Sequence, residues 1–125
     1  MSAAIIHNGH LRLIQKASKF GRVIIALTTD NEIKKHKNLI PELKWKIRRE
    51  ILLGFKSVAK VIPCNFTITQ KFLDKNKIDV IVQGSDYTKR QFSTKTITFN
   101  RTRKISSTII RGIAAKNLKN ILKKR

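Results

Sequence analysis

The sequence predicts a three-layer α/β fold, a mostly parallel sheet with helices on both faces. Three observations point to it. Val23 to Leu27 is an uninterrupted apolar run, the pattern of a strand buried on both faces as in parallel sheets, and Ile78 to Val82 is a second strongly apolar strand. Segments with apolar residues at helical spacing alternate with such runs along the chain. The 125 residues show no repeat, low-complexity stretch or linker, so 1–125 reads as one domain with enough apolar residues for a core.

Gly9 to Lys19 places Leu11, Ile14 and Ala17 at helical spacing and stops at Gly21, a residue suited to the position after a helix. The Val23–Leu27 strand is closed by Thr28-Thr29-Asp30-Asn31, and a polar basic loop is expected as far as Ile40. Pro41 suits the first position of a helix running to about Phe55. Val58 to Ile62 reads as a short strand ended by Pro63, and Thr67 or Thr69 can cap a brief helix through Lys75. Ile78 to Val82 leads into a loop from Gly84, and Lys95 to Phe99 alternates weakly, as an outer strand does. Ser106 caps a last helix, with Ile109, Ile110, Ile113, Leu118 and Ile121 or Leu122 available for its buried face.

Composition narrows the function classes. No segment approaches the length of a membrane-spanning helix and no apolar signal core opens the chain, so the expectation is a soluble, cytoplasmic protein. A single cysteine, Cys64, excludes an internal disulfide, has no partner at metal-ligand spacing and reads as a buried thiol. His36 has no constellation around it. The 28 Lys and Arg against 7 Asp and Glu give a net charge of +21, a field that attracts nucleotides, nucleic acid or anionic lipid alike. The basic residues are dispersed except at Lys34-Lys35-His36-Lys37 and Lys123-Lys124-Arg125, so compositional drift competes with a dedicated nucleic-acid role.

Ligands of parallel α/β sheets bind beyond the carboxyl ends of the strands, and two clusters fall there. His7-Asn8-Gly9-His10 opens the first helix, placing two imidazoles three residues apart at the positive end of its dipole. Arg101-Thr102-Arg103-Lys104-Ile105-Ser106-Ser107-Thr108 opens the last helix with further hydroxyl, guanidinium and N–H donors. Together they describe a nucleoside-triphosphate site.

The first cluster matches the HxGH motif of the cytidylyltransferase-like nucleotidyltransferases, which have a Rossmann-like fold. The second resembles the RTxGIST motif of the branch that makes CDP-glycerol, CDP-choline and CDP-ethanolamine. Thr67 to Val80 is similar to the stretch before the substrate-side strand of choline-phosphate and ethanolamine-phosphate cytidylyltransferases, and Gly84-Ser85-Asp86-Tyr87 resembles their G-D-D-W/Y element. The resemblance is collinear from about residue 4 to 113. Two departures stand out. Only Met1 to Ile6 precede His7, so the family's first strand and its G-x-F-D turn are expected to be absent, and Lys104 stands where the family usually has glycine. If that position needs φ > 0, lysine is penalised there by about a kcal/mol or more.

The resemblance implies roles for particular residues. His7 and His10 would hold the phosphates and stabilise charge building on the α-phosphate and the leaving group, with Lys37 and Arg101 as further catalytic cations. Gly9, Lys35, Gly84, Asp86, Thr102, Ser106, Ser107 and Thr108 would surround the nucleotide, and Arg48 would bind the substrate phosphate through its planar fork. Lys34 could substitute for either Lys35 or Lys37, and Asp86 could serve ribose, base or a Mg²⁺ ion, or simply form a turn. No protein-held metal site is expected.

The implied activity is transfer of CMP from CTP to a small phosphorylated alcohol (choline phosphate, ethanolamine phosphate or glycerol 3-phosphate), releasing pyrophosphate, with Mg²⁺ neutralising the triphosphate. The Thr67–Val80 stretch tilts towards an amino alcohol, whereas an aromatic cage for a quaternary ammonium would have only Trp45, Tyr87 and six Phe to draw on. Family members commonly form homodimers, which sets that expectation. An adenylyltransferase of the same superfamily, or an inactive relative serving as a basic nucleic-acid-binding protein, are the alternatives.

Overall fold

The structure, a computed structural model, describes residues 1–85 and 92–124. Its elements are α1 (Asn8–Ala17), a 3₁₀ turn (Ser18–Phe20), β1 (Val23–Thr28), α2 (Asp30–Lys37), α3 (Trp45–Leu53), β2 (Val58–Cys64), α4 (Gln70–Lys75), β3 (Val80–Gly84), β4 (Lys95–Phe99) and α5 (Ser107–Lys123). The α/β alternation is therefore present. All strand pairings are parallel, with β1 on β2 from Ile24↔Lys60 to Thr28↔Cys64 and β3 on β4 from Val80↔Lys95 to Gly84↔Phe99.

Among the described residues the strands form two parallel pairs, β1–β2 and β3–β4. On the other edge of β1, the Met1 amine donates to the Ala26 carbonyl at 2.9 Å and the Thr28 N–H donates to the Met1 carbonyl at 2.9 Å. These two bonds sit at the end of β1 and do not carry the ladder across to β3. Pro63 lies inside β2, extending that strand beyond its expected end. An exposed proline is tolerated there because β2 is an edge strand and can spare an N–H.

Two further expectations give way to tertiary effects. The stretch from Asp30 to Lys37 is a helix, not a loop. Asp30 and Glu32 stand in its first turn and Lys34, Lys35 and Lys37 in its last, which complements the helix dipole. Ile33 anchors it in the core and Asn38, at φ 53°, turns the chain out of it. With a single buried apolar residue, the segment had no periodicity to read. Pro41 does not start α3; it is buried in the preceding loop, and the helix begins at Trp45. Its cap comes from another element, because the Asp30 Oδ2 accepts the Trp45 N–H at 3.2 Å.

The core gathers Ala3, Ile14, Val23, Ile25, Leu27, Leu52 and Val61, flanked by Trp45, Phe55 and Val58. Cys64 is a buried free thiol whose pKa is raised by burial, as the sequence suggested. The expectation for α5 is corrected. None of its residues is buried, and every side chain from 112 to 124 is exposed. Only Ile110 among its isoleucines and leucines is even half-buried.

Candidate active site

His7 is the N-cap of α1, in extended backbone conformation. Its Nδ1 accepts the Gly9 N–H at 3.0 Å, while its own N–H donates to the His10 Nδ1 at 3.1 Å. This is a capping box built from two imidazoles rather than a hydroxyl and a carboxylate. The consequence is chemical. A backbone N–H is always a donor, so both Nδ1 atoms must be acceptors, and each neutral ring carries its proton on Nε2. Two Nε2–H donors are thereby set side by side, with the ring centroids 4.0 Å apart.

Neutrality is enforced by the surroundings. His10 is pushed down to about 4 by burial, with His7 and the Met1 ammonium adding to the effect. His7 is lowered by burial and then by the charge of Arg101, which brings the second cluster within electrostatic reach of the first. At neutral pH the rings therefore present donors without carrying charge themselves. The cations that attract an anion are Arg101 and the partial charge of the α1 terminus.

Gly9 is required by contact. A Cβ built there would stand 2.8 Å from the His7 Cε1 and 2.9 Å from its Nδ1, too close for any side chain. The same Cβ would lie 3.6 Å from Ile105 Cγ2, so the segment before α5 packs over the turn between the histidines. Ser106 caps α5 by accepting the Ile109 N–H at 3.1 Å, and the Ser107 hydroxyl donates to the Ile5 carbonyl at 3.2 Å. The N-termini of α1 and α5, ninety-odd positions apart in sequence, are joined at one place. Ile5 and Ile105 are contributors to which motif reading gave no role, Ile5 lying just before the first motif and Ile105 inside the second.

The other site expectations fall into three groups. Arg48 is corrected: it has no exposed surface and cannot bind a substrate phosphate. Its Nε donates to the Leu43 carbonyl, its Nη1 to the Ser2 and Thr28 carbonyls, and its Nη2 to the Asp30 carboxylate at 2.6 Å. It is a buried strut, and Asp30, read from the sequence only as part of the close of a strand, is its counter-ion and the cap of α3. Lys35 and Lys37 lie exposed on α2, not in a loop, and the Lys37 Nζ stands 5.9 Å from the centre of the Phe66 ring. His36, expected to have no constellation, stacks on that ring at 4.7 Å, with the Glu32 carboxylate 3.8 Å away.

Gly84 ends β3 opposite Phe99, Thr102 is half-buried and Thr108 is exposed on the first turn of α5. Asp86 and Tyr87 lie outside the described residues. Lys104 has φ 62°, the left-handed conformation that glycine adopts freely.

Comparison with known proteins decides the family, since a family model described as cytidylyltransferase-like matches residues 3–113. The chain belongs to the cytidylyltransferase-like family. Among curated proteins it is 31% identical over 85 residues to the bifunctional protein HldE of Hydrogenovibrio crunogenus, a match covering 66% of this chain and 18% of that protein. It is 30% identical over 89 residues to HldE of Gluconobacter oxydans, covering 70% of this chain and 19% of the relative. The chain thus corresponds to less than a fifth of these relatives. Among solved structures, the lipopolysaccharide core biosynthesis protein from Thermoplasma volcanium superposes with a TM-score of 0.70 at 18% identity, over 82% of this chain and 93% of that one. That likeness shows the fold, a Rossmann-like α/β arrangement, and the family makes the chain a nucleotidyltransferase-like protein.

Proposed function

We propose that this chain transfers a nucleotidyl group, CMP from CTP, to a small phosphorylated alcohol. An oxygen of the acceptor phosphate forms a bond to the α-phosphorus, the bond from that phosphorus to the bridging oxygen breaks, and pyrophosphate leaves. No covalent enzyme intermediate is needed, so positioning and charge stabilisation carry the catalysis. The observation that supports this reading best is the histidine pair, with both Nδ1 atoms held by backbone N–H groups and both Nε2–H donors free to meet an anion. Such donors are set before the substrate arrives and do not reorganise as charge builds on the α-phosphate and the departing pyrophosphate. Arg101 and the first N–H groups of α5, capped by Ser106, would take the outer phosphates.

Mg²⁺ belongs to this proposal as a companion of the triphosphate. Among the described residues, which leave out Asp86, no three His, Cys, Asp or Glu side chains converge to hold a metal ion. Three of the aromatic side chains are already engaged with other groups, which supports a neutral polyol over a quaternary ammonium. Lys37 and His36 cover Phe66, Lys16 lies 5.0 Å from the centre of the Phe99 ring, and the Trp45 indole N–H is bonded to the Leu27 carbonyl. Glycerol 3-phosphate is therefore the preferred acceptor. The neighbour named for lipopolysaccharide core biosynthesis adds phosphorylated sugars to the acceptors worth testing.

The test is pyrophosphate release from CTP and from ATP against glycerol 3-phosphate, choline phosphate, ethanolamine phosphate and a hexose phosphate. His10→Ala and Gly9→Ala are each expected to lower the rate about 100-fold, the first by removing a donor and the second by displacing the His7 ring. Turnover that survives His10→Ala unchanged would remove the histidine pair from the mechanism.

A further inference from the structure

The last part of α5 has no fold-level explanation. Every residue from 112 to 124 is exposed, including Ile113 at 58%, Leu118 at 57%, Ile121 at 54% and Leu122 at 58%. At 1.5 Å per residue this projecting stretch is about 20 Å long. A helix that short is marginal in water without a surface to pack on. Its two sides differ. Ile113, Leu118, Ile121 and Leu122 spread over about half the circumference, and Lys116, Lys119 and Lys123, at i, i+3 and i+7, line the side opposite.

Charge selects the occupant. No Asp or Glu occurs anywhere from residue 87 to residue 125, while the helix and its end carry Arg111, Lys116, Lys119, Lys123, Lys124 and Arg125. A second copy would bring the same cationic rim against itself, so like charges would meet around any apolar contact. Nucleic acid would satisfy the lysines and leave the four aliphatic side chains in water. An anionic bilayer surface satisfies both, since an interfacial helix buries its apolar face at the acyl boundary and places its lysines among the headgroups. The stretch is too short and too charged to cross, and no described helix is long and apolar enough to do so. We infer that the C-terminal part of α5 docks this protein on an anionic lipid surface, lying along it.

The test is co-sedimentation of the full 125-residue chain with vesicles, at about 0.15 M salt. The vesicles are phosphatidylcholine alone or phosphatidylcholine mixed equally with phosphatidylglycerol. The expected result is partitioning to the mixed vesicles only. Leu118→Gln with Ile121→Gln should weaken it by about tenfold or more, and Lys119→Gln with Lys123→Gln by a similar factor. These positions are exposed, so the variants should keep the circular dichroism and urea midpoint of the parent. Three results would overturn the inference. One is no binding to the mixed vesicles. Another is binding that the apolar pair of substitutions leaves intact, which would be adsorption by net charge alone. The third is a lipid-free dimer, seen by sedimentation equilibrium, that the apolar pair dissociates.

Discussion

Residues 1–64 and residues 65–124 are built differently. Of the twelve buried apolar side chains among the described residues, Pro41 included, eleven belong to the first part, and Leu73 alone belongs to the second. The first part also holds Arg48, whose guanidinium bonds reach the chain start, the end of β1 and the loop before α3. The second part has half-buried strands and a helix without a single buried residue. Its contacts with the first include Ile105 over Gly9, Ser107 on Ile5, Phe99 beside Phe20, Phe66 against His36 and Glu32, and Arg111 on Glu42. The candidate site lies at this joint. A rigid frame supplies the histidines, and the more loosely packed part supplies the second set of anion donors.

The comparison breaks most sharply at Arg48. If it is the strut of the frame, Arg48→Ala leaves three carbonyls and the Asp30 carboxylate without their partner and should cost about 3–5 kcal/mol. Urea unfolding would show the loss as a lowered midpoint. A variant with parental stability and weakened substrate binding would instead restore the phosphate-ligand role and remove the frame's central support.

Sequence and structure part company along the same line. Elements with strong local signals were legible: the apolar run of β1, the Ser106 cap, a threonine cap of α4 (Thr69 of the two offered), and the two motifs. The segments that misled are decided by distant partners. Asp30 caps α3 from another helix, Ile33 alone holds α2, and Arg48 is withdrawn from solvent by carbonyls up to 46 positions away. No local pattern records such bonds. The paired histidines were legible as a motif, but their tautomer was not, because it depends on which backbone N–H groups each ring accepts. The apolar residues of α5 were periodic enough to predict burial, yet none of them is buried and every residue from 112 to 124 is exposed.

Acid should loosen the joint. Folded His10 takes up a proton only near pH 4, against 6.5 for an unperturbed imidazole. Between those values the unfolded chain binds more protons than the folded one, so stability is fully present above about pH 6.5 and falls as pH drops towards 4. The loss is on the order of 2 kcal/mol once the ring's partial exposure is allowed for. His7, lowered by burial and by Arg101, acts in the same direction. Urea midpoints measured across this range for the parent and for His10→Gln should diverge, the variant showing the shallower slope. Parallel curves would mean that the His10 ring is not held neutral.

A smaller change sharpens the question of whether the two parts unfold together. Lys104, in the loop that leads to α5, adopts φ 62° and is exposed. Lys104→Gly relieves that backbone, and the gain should be about 0.5–1 kcal/mol after the added freedom of the unfolded glycine. A matching rise in Tm would show that the loosely packed part is cooperative with the frame. An unchanged Tm would place this loop outside the unit that melts.

The smallest expected effect tests a fastening directly. The Arg111 Nε and Nη2 meet the two Glu42 oxygens at 2.6 and 2.7 Å, a bidentate pair between α5 and the loop before α3. Its hydrogen bond to Arg111 holds the Glu42 carboxyl below the usual carboxylate range, so its contribution is present at neutral pH and lost as pH falls through that range. Both side chains are partly exposed, which limits the pair to about 0.5 kcal/mol. A double-mutant cycle of Arg111→Ala and Glu42→Gln should return that coupling at low salt and less at high salt. A coupling several times larger would mean that α5 is clamped to the frame by this pair, and that the second part is less loosely held than its burial implies.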